Sequence, residues 1–403
     1  MKILYLAQRL PFPPNKGEKI RTFHQIQRLA QLGHQVDVAS PQEQEQDTAQ
    51  GTQLATITQG NILLAAKPGK TSLLIGLIKG EPLSVSNFYS TELQQQIDQY
   101  LTANPVDAII CTSSAMAAYV FKSRTLASLS QQPKLIMDFM DLDSDKWAQY
   151  AATAKPPMKW VYQREARLIG QYEERIYHQF DTSIFISQAE VDLFARRLGN
   201  ADKLLVVSNG VNTEEFCPPD SRTSVSGESL HMLFTGVMDY LPNEDAVSWF
   251  VQEAWDELKA KYPTATFTIV GMNPSKKVMQ LGEKPGVKIT GFVDDVMPYF
   301  NQANLFVAPF RLARGVQNKV LQAFACGLPT ITTSMGIEGI NAQDRDNVII
   351  ANDIPSILKA IDQLAGAPEH AVQIGKNARR LLEQDFSWES RLAPLCNILA
   401  TAE

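Results

Sequence analysis

The side chains best placed for chemistry lie where an apolar strand pattern changes into a helical one. Residues 310–330 follow such a strand and open a helix, and they carry Arg314, Gly315 and Lys319 at the change. Backbone N–H groups and the positive end of a helix dipole favour an anion at this position. Gln322 lies one helical turn beyond Lys319, near its face. The segment therefore predicts an anion site at the start of a helix.

A second candidate anion site follows the first apolar run. Residues 9–15 read Arg-Leu-Pro-Phe-Pro-Pro-Asn and lead to Gly17, with Lys19 and Arg21 in the helical pattern beyond it. Because glycine has no Cβ, backbone N–H groups at the helix start could approach a phosphate closely, and the basic side chains could add charge. An ordinary strand-to-helix turn with solvated lysines would have the same pattern.

These side chains need elements that bring them together. Short apolar runs alternate with helical patterns along the chain, which indicates repeated βα units around parallel sheets. A chain of 403 residues is too long for one comfortable core, so we expect two domains. The predicted strands are 2–7, 36–40, 62–65, 108–112, 135–139, 183–186 and 204–208 in the first half, and 232–236, 267–271, 288–291, 305–309, 330–333 and 348–351 in the second.

The stretch between the two halves is polar. Residues 218–229 are rich in Pro, Ser, Asp and Gly and are predicted to be the linker, whereas the Gln-rich residues 42–59 are predicted to be a solvated loop with one edge strand. The predicted domains are 1–212 and 213–386. Ligands of parallel sheets bind at the carboxyl ends of the strands, so two facing sheets would share one cleft.

Composition excludes several classes of protein. The net charge of −6 gives no basic footprint for nucleic acid. The four cysteines lie far apart without a CxxC pair, which indicates thiols in a reducing cytoplasm. The first residues predict a strand rather than a signal peptide, and the apolar stretch 72–78 is shorter than the ~18 residues that a membrane span needs.

Ordered motifs run along the whole chain: Arg9-Leu-Pro-Phe-Pro-Pro with Lys16-Gly17-Glu18-Lys19, Met137-Asp138-Phe-Met-Asp141-Leu-Asp143-Ser144-Asp145-Lys146-Trp147, Asn209-Gly210-Val211-Asn212, Gly236-Val-Met-Asp239-Tyr-Leu-Pro242-Asn243-Glu-Asp245-Ala246, Gly291-Phe292-Val293-Asp294-Asp295-Val296, Ala313-Arg314-Gly315-Val-Gln317-Asn318-Lys319-Val320, and Phe386-Ser387-Trp388-Glu389. They resemble retaining glycosyltransferase family 4, and within it a subfamily of sugar transferases associated with exopolysaccharide and PEP-CTERM protein-sorting loci. The resemblance implies the GT-B fold, in which two Rossmann-like, doubly wound α/β domains face across a cleft and a C-terminal helix, 387–403, packs back on the first domain.

The resemblance also implies roles for individual positions. Basic groups and N–H groups would neutralise the diphosphate that leaves when the glycosidic bond breaks through an oxocarbenium-like state. The implied donor-binding residues are Gly17, Lys19, Gly236, Asn243, Gly271, Phe292, Val293, Gly315, Val316, Gln317 and Gln322. The implied catalytic residues are Asp141, Asp138, Lys319 and Arg314, and the implied acceptor-side residues are Lys16, Arg21 and Asp143.

The sequence departs from the wider family at three places. The family motif of a Glu, seven residues and a second Glu has Arg314 and Gln322 at its ends here, and an amide holds hydroxyls less strongly than a carboxylate. An Arg and a Lys of the family are replaced by residues that include Asn243, for which Arg311, Arg314 and Lys319 are expected to compensate. No histidine follows the fifth strand, so Asp141 is the candidate for the polar group beneath the anomeric carbon, with Asp138 or Asp143 second.

The acidic residues after the fifth strand leave alternatives open. They could hydrogen-bond loop amides or cap the helix that begins near Ser144. Asp141, Asp143 and Asp145 also imitate the metal-binding DxD motif of the other glycosyltransferase fold. Parallel sheets with basic groups at the diphosphate indicate instead that protein charge replaces the metal, so we expect neither a metal nor another cofactor.

The expected function is transfer of a sugar, with retention, from a nucleotide diphosphate sugar, commonly a UDP-sugar, to a glycan or lipid-linked acceptor in exopolysaccharide or cell-surface glycan synthesis. Residues 71–89 and 155–164 could contact a membrane surface, which would place the protein at the inner face of the cytoplasmic membrane; a cover helix and a long solvated helix from 157 to 180 would give the same pattern. The alternatives are a catalytically silent nucleotide-sugar-binding scaffold and a nucleotide-sugar 2-epimerase.

Overall fold

The structure, a computed structural model, describes residues 1–69, 71–313 and 315–400. It divides into two compact units. The N-terminal domain comprises Met1–Asn209 together with the chain from Arg391 onward, and the C-terminal domain is Gly210–Ser390. The boundary thus lies three residues before the one drawn from the sequence.

The N-terminal domain is built on a parallel sheet. Its strands are β1 (Lys2–Leu6), β2 (Gln35–Gln42), β3 (Ile62–Ala66), β4 (Ala108–Thr112), β5 (Lys134–Met140), β6 (Thr182–Phe185) and β7 (Leu204–Val206). Within the described residues the strand order is β3-β2-β1-β4-β5-β6-β7, and every pairing is parallel. The order reverses between β1 and β4, so the crevice at their carboxyl ends is where a doubly wound sheet binds ligands.

Helices connect these strands, as parallel pairing requires. They are α1 (Gly17–Gln31), α2 (Asp47–Thr58), α3 (Thr71–Lys79), α4 (Leu83–Phe88), α5 (Thr91–Ala103), α6 (Ala117–Phe121), α7 (Arg124–Ser128), α8 (Asp143–Thr153), α9 (Met158–Gln179) and α10 (Gln188–Leu198), with a 3₁₀ turn at Ser114–Met116.

The C-terminal domain repeats this architecture. Its strands are β8 (His231–Thr235), β9 (Thr266–Val270), β10 (Val287–Ile289), β11 (Leu305–Ala308), β12 (Thr330–Thr332) and β13 (Ile349–Ile350), in the order β10-β9-β8-β11-β12-β13 within the described chain, again all parallel. Its helices are α11 (Leu241–Glu253), α12 (Trp255–Lys261), α13 (Lys276–Leu281), α14 (Met297–Gln302), α15 (Asn318–Ala325), α16 (Ile354–Gly366) and α17 (Pro368–Asp385), with a 3₁₀ turn at Ser334–Ile337. This order is that of a Rossmann sheet, with its reversal between β8 and β11.

The last helix, α18 (Trp388–Ala400), begins at the end of the C-terminal domain and continues into the N-terminal one. Its apolar side chains Leu392, Leu395 and Leu399 are buried, and Lys134 at the start of β5 donates a hydrogen bond to the carbonyl of Ile398.

Each predicted strand is present within two residues of its predicted bounds. Two other predictions are wrong. Residues 42–59 contain α2 rather than a loop, because glutamine and alanine are good helix formers and the buried side chain of Leu54 anchors the helix against the sheet. The polar stretch 218–229 does not link the domains, because it packs on the C-terminal one: Val225 is buried, and Arg222 donates to the carbonyl of Cys326 at 2.8 Å.

Candidate active site

The C-terminal domain contains a cavity of about 870 Å³ at the carboxyl ends of β8 and β9 and the start of α15. We call it the C-domain cavity. It brings together most of the residues predicted to bind a donor. Those that line it are Gly236, Asn243, Gly271, Phe292, Val293, Val316, Gln317, Lys319 and Gln322. Arg314 lies outside the described residues.

Two glycines allow the strand ends to approach closely in this cavity. A Cβ on Gly271, whose φ is +154°, would lie 1.6 Å from the carbonyl oxygen of Gly236. A Cβ on Gly236 would lie 2.7 Å from the amide nitrogen of Asn243 and 3.1 Å from Cε of Lys319. Position 271 therefore requires glycine, because the backbone of Gly236 occupies the space of a Cβ there. At Gly236 the space of a Cβ is taken by the side chains of Asn243 and Lys319, which would have to move.

Lys319 is the one basic side chain among the described residues that line the C-domain cavity, and Asp239 is the acidic one. The ammonium of Lys319 donates to Oδ1 of Asn243 at 2.9 Å and lies 5.1 Å from the ring centroid of Phe310. The Asn243 amide is oriented because it donates in turn to the carbonyl of Val237 at 2.9 Å. Lys319 forms no ion pair with any described residue, and burial lowers its pKa to about 8. A lysine held this way is a site for an anion.

Two expectations about the neighbouring loop are not met. The Gly315 N–H, expected to face the donor diphosphate, donates to a carboxylate oxygen of Glu338 at 2.9 Å, and Gly315 is not among the described lining residues. Arg311, expected to compensate for missing basic residues, forms a two-pronged ion pair with Asp245 and stacks over Trp249, so its charge is already matched. Sequence reasoning missed Glu338, because only the folded loop brings it to Gly315.

The N-terminal domain contains a separate cavity of about 810 Å³, which we call the N-domain cavity. It lies at the carboxyl ends of β1, β4 and β5, where the sheet order reverses. Of the residues predicted from the sequence, Gly17, Arg21, Asp141 and Asp143 line it, whereas Lys16, Lys19 and Asp138 are not among its described lining residues. At Gly17 a Cβ would meet no atom within 4 Å, so the helix start faces open space.

Asp138 does not fit a catalytic role, because its carboxylate is buried and bound. Arg21 donates to both carboxylate oxygens, at 2.8 and 3.1 Å, and Gln25 donates to Oδ2 at 2.5 Å. The guanidinium of Arg21 also donates to the carbonyl of Val207 and to Oδ1 of Asn209. Arg21 and Asp138 are at most 1% exposed. We therefore correct both assignments: the pair joins α1, β5 and the chain after β7, and it is structural.

Two residues with a strained backbone line the N-domain cavity. Ser113 after β4 and Met140 at the end of β5 both line it, and both have positive φ angles, 67° and 64°. The pairing of β5 with β6 shifts register between Asp138 and Met140, which turns the following residues toward the cavity. Non-glycine residues in this conformation cost free energy and cluster at functional sites.

Asp143 is a half-buried acid that lines the N-domain cavity. Burial and, after it, the nearby Glu173 raise the pKa of its carboxyl to about 6, and the hydroxyl of Ser114 lies 3.3 Å away. The acids do not cap α8: Glu190 accepts from the N–H of Leu142, and Glu173 accepts from the N–H of Ser144. Two N–H groups at the helix start thus donate to acids of other elements, and the carboxylate of Asp143 lines the cavity with the Ser114 hydroxyl as its hydrogen-bond donor.

One face of α8 forms a wall of the same cavity. Asp143, Lys146, Trp147 and Tyr150 line it, with the spacing of a single helical stripe. The rings of Trp147 and Tyr150 also pack on Tyr162 of α9, with centroids 5.5 and 5.9 Å apart. Sequence reasoning noted the motif but assigned no role to the two aromatic residues, although their helical spacing from Asp143 was visible.

Two family models match the chain. The glycosyl transferase 4-like domain matches residues 16–210, and the glycosyl transferases group 1 model matches residues 229–366. The chain belongs to the glycosyltransferases. It is therefore an enzyme. Each of its two Rossmann-like domains is matched by a separate family model.

Relatives and solved structures agree with this assignment. The glycosyltransferase is 22% identical over 399 residues, 96% of each chain, to a Klebsiella pneumoniae protein described as an uncharacterized 44.6 kDa protein in the cps region. It is 25% identical over 245 residues, 56% of this chain and 64% of the relative, to a GDP-mannose-dependent alpha-(1-6)-phosphatidylinositol monomannoside mannosyltransferase from Mycolicibacterium smegmatis.

Among solved structures, Anabaena Alr3699/HepE in complex with UDP has a TM-score of 0.60 at 15% identity, with full coverage of both chains. A glycosyltransferase from Rickettsia africae has a TM-score of 0.61 at 14% identity, covering 100% of this chain and 98% of its own. These likenesses, with the two parallel-sheet domains, confirm the GT-B fold class.

Two further observations concern this glycosyltransferase as a whole. No group of three or more His, Cys, Asp or Glu side chains is arranged to hold a metal ion in the part of the chain that the structure describes. Independence from metal ions stays a prediction. Over residues 1–69, 71–313 and 315–400, no helix has the length and apolar character to cross a membrane.

Proposed function

We propose that this glycosyltransferase moves a sugar from a UDP-sugar to a glycan or lipid-linked acceptor, with retention and without a metal ion, in the synthesis of a surface polysaccharide. The proposal that the C-domain cavity binds the donor is based on the environment of Lys319. A desolvated ammonium with an amide and aromatic rings around it, in a cavity at the reversal of a Rossmann sheet, is suited to a diphosphate.

The remaining cavity residues suit the rest of a nucleotide. Phe292 is 67% exposed at the cavity and offers its ring face to a base, with Val293 beside it. Gln322, one turn after Lys319, offers an amide to the ribose hydroxyls. The choice of UDP is supported by the Anabaena structure, which is described as a complex with UDP, and retention is supported only by the family resemblance.

In the proposed reaction the bond from the anomeric carbon to the diphosphate oxygen breaks, and the nucleoside diphosphate keeps the electron pair. Lys319 stabilises the charge that appears on the leaving group, because a cation fixed in a desolvated site interacts strongly with it. Asp141, exposed in the N-domain cavity, is proposed to stabilise the oxocarbenium-like sugar. The oxygen of an acceptor hydroxyl then forms the new bond to the anomeric carbon, and its proton passes to an oxygen of the departing diphosphate, which lies on the same face of the sugar when the configuration is retained.

We place the acceptor in the N-domain cavity. The stripe on α8 combines a carboxyl, an ammonium and two aromatic rings, and sugars are bound by such sets because their hydroxyls need charged partners while their C–H faces stack on rings. Surface-polysaccharide synthesis is proposed from the resemblance and from the Klebsiella relative, whose description places it in a cps region.

The test measures thermal unfolding of the full chain with a panel of UDP-, GDP- and dTDP-sugars. Only a ligand that prefers the folded state raises the midpoint. We expect UDP-sugars to raise it, and Lys319→Ala to weaken donor binding roughly ten- to a hundredfold, because a hydrogen bond to a charged group is worth about 1.5–3 kcal/mol. Lys359→Ala, which removes an exposed lysine on α16, is the matched control. If Lys319→Ala binds UDP as tightly as the control, the donor assignment is wrong.

A catalytically silent nucleotide-sugar-binding protein is the second candidate. It is favoured by Gln322, which stands in the cavity where the wider family has a carboxylate. Incubation of the chain with a UDP-sugar and a panel of glycan and lipid-linked acceptors distinguishes the two. Release of UDP that depends on the acceptor supports transfer, whereas tight binding without any release of UDP supports the silent protein.

A further inference from the structure

Helix α3 exposes an apolar surface that the proposed transfer reaction does not use. Leu74 is 61% exposed, Ile75 52%, Leu77 46% and Ile78 80%. Large aliphatic side chains are normally buried, since each is worth about 1.5–3 kcal/mol when removed from water. Four of them in one short helix form a contiguous apolar patch, which in soluble proteins marks an interaction site.

The packing of α3 explains why these side chains point outward. Gly76 is the buried residue of the helix, and a Cβ there would lie 2.0 Å from the hydroxyl oxygen of Ser86 on α4. The backbone of α3 at Gly76 therefore packs directly on α4. This packing does not use the aliphatic side chains of α3. Leu73, on the same helix, lines the N-domain cavity.

The start of α9 extends this patch. Trp160 is 64% exposed and Met158 45% exposed. Arg164, one turn after Trp160, donates to the carbonyl of Glu81 at 3.1 Å, two residues beyond the end of α3. This contact places the face of α9 that carries Trp160 beside the chain that follows α3. We define the α3–α9 surface as Leu74, Ile75, Leu77, Ile78, Met158 and Trp160.

Basic residues accompany the α3–α9 surface. Lys79 ends α3 and Lys155 precedes α9, and both are exposed and form no ion pair with any residue that the structure describes. The nearby carboxylate of Glu81 is neutralised by Lys122 at 3.1 Å. This local positive charge contrasts with the net charge of −6 on the whole chain. Aliphatic side chains, a tryptophan and flanking lysines are the composition of segments that lie in the headgroup region of an anionic bilayer.

We propose that the α3–α9 surface docks the chain on a bilayer that contains anionic lipid, with α3 lying in the headgroup region. The aliphatic side chains of α3 enter the acyl boundary, Trp160 lies at the interface, and the lysines contact lipid phosphates. Docking goes beyond glycosyl transfer and does not depend on it. Because Leu73 belongs to the same helix, docking would bring one wall of the N-domain cavity to the lipid surface, where a lipid-linked acceptor is found if the proposed function is correct.

The test is flotation of the full chain with vesicles of phosphatidylcholine alone or of equal parts phosphatidylcholine and phosphatidylglycerol, without donor or acceptor. We expect binding to the mixed vesicles. Leu74→Ser with Ile78→Ser should weaken that binding roughly tenfold or more, because two apolar side chains no longer leave water. Met279→Ser with Val372→Ser removes two exposed apolar residues from the C-terminal domain and should bind as the wild type does. Equal binding by both double variants overturns the proposal.

The lysines beside the α3–α9 surface are tested separately. Lys79→Glu with Lys155→Glu should abolish the preference for vesicles with phosphatidylglycerol and the sensitivity of binding to salt. Light scattering without vesicles examines the alternative occupant, a second copy of the chain. A wild-type dimer that becomes monomeric in Leu74→Ser with Ile78→Ser, together with no vesicle binding, overturns the proposal. The UDP-induced rise in unfolding midpoint should be unchanged in that variant, so failure of docking and failure of donor binding are separable.

Discussion

Each domain holds a basic side chain near the carboxyl ends of a Rossmann-type sheet, but the surroundings of the two differ. In the N-terminal domain Arg21 is saturated by Asp138, Val207 and Asn209. In the C-terminal domain Lys319 is held by Asn243 and aromatic rings, without an ion pair to any described residue. In the same architecture, one cation is buried and joins several elements, whereas the other is half-buried and forms no ion pair within the described residues, which is why we propose it for a ligand.

The N-terminal side chain whose electrostatic situation resembles that of Lys319 is Asp143 rather than Arg21. Burial disfavours the charged form of both groups, since it lowers the pKa of Lys319 to about 8 and raises that of Asp143 to about 6. Both line cavities. Titratable groups shifted by desolvation in a cavity are typical of active sites, and they cost stability in the absence of a ligand.

The largest expected effect is on the structural pair. Arg21→Ala should lower the free energy of unfolding of the N-terminal domain by roughly 3–5 kcal/mol, because it leaves the Asp138 carboxylate buried without its cation. Urea denaturation measures this. Arg9→Ala is the control: Arg9 pairs with Glu18 and Glu43 where all three side chains are about one-third exposed, so its loss should cost about 1 kcal/mol or less. Equal losses in the two variants would contradict the structural role of Arg21.

Substitution of Lys319 is expected to raise the free energy of unfolding, whereas substitution of Arg21 lowers it. The pKa of Lys319 is lowered in the folded state, so folding at neutral pH carries the cost of keeping a desolvated charge. Lys319→Met should raise the free energy of unfolding of the unliganded C-terminal domain by roughly 1–3 kcal/mol and reduce the stabilisation by UDP. Denaturation with and without UDP measures both. A variant that is destabilised and still stabilised by UDP would show that Lys319 is structural, like Arg21.

A similar gain is expected at Asp143. Its pKa is raised in the folded state, so the cost of its charge is fully present above pH about 6 and disappears as pH falls below the unfolded value of about 4. Asp143→Asn should therefore stabilise the N-terminal domain by roughly 1–3 kcal/mol near pH about 7 and by almost nothing near pH about 4. Denaturation at the two pH values measures this. Asp141→Asn, at an exposed position, is the control, and a gain that is independent of pH would refute the interpretation.

The smallest expected effect is the pH dependence of donor binding. Below the pKa of about 8 the ammonium of Lys319 is already protonated in the free protein. Above it, binding of UDP must take up a proton, so the affinity should fall roughly tenfold per pH unit, which corresponds to about 1.4 kcal/mol. Calorimetry between pH about 7 and about 9.5 follows this decline. Lys319→Met should show weak binding with no such slope; an unchanged slope in that variant would assign the titration to another group.

The strands of both parallel sheets could be predicted from the sequence. Strand bounds such as 108–112 agree with the structure because a buried parallel strand must be a short apolar run, and that run is visible without knowledge of its neighbours. Lys319 and Gln322 of the C-domain cavity were also predictable from the residues, since they lie at the start of a helix that follows a strand, whereas Gly236 was implied only by the family resemblance. All three lie at one edge of the sheet because the carboxyl ends of parallel strands meet there.

Partners that are distant along the chain could be read only from the tertiary structure. Asp138 lies within the fifth strand and Asp143 begins the helix that follows it, but only the approach of Arg21 from α1 makes the first an internal ion pair, whereas the second faces a cavity. Likewise Glu338 accepts the hydrogen bond of the Gly315 N–H. The side chain of Val225 is buried in the C-terminal domain, so the segment that the sequence predicts as a linker packs on that domain. Local patterns determine which elements form, because propensity and periodicity act over a few residues. Which polar group meets which, and so which charge is left for a ligand, depends on packing between elements that the linear order does not encode.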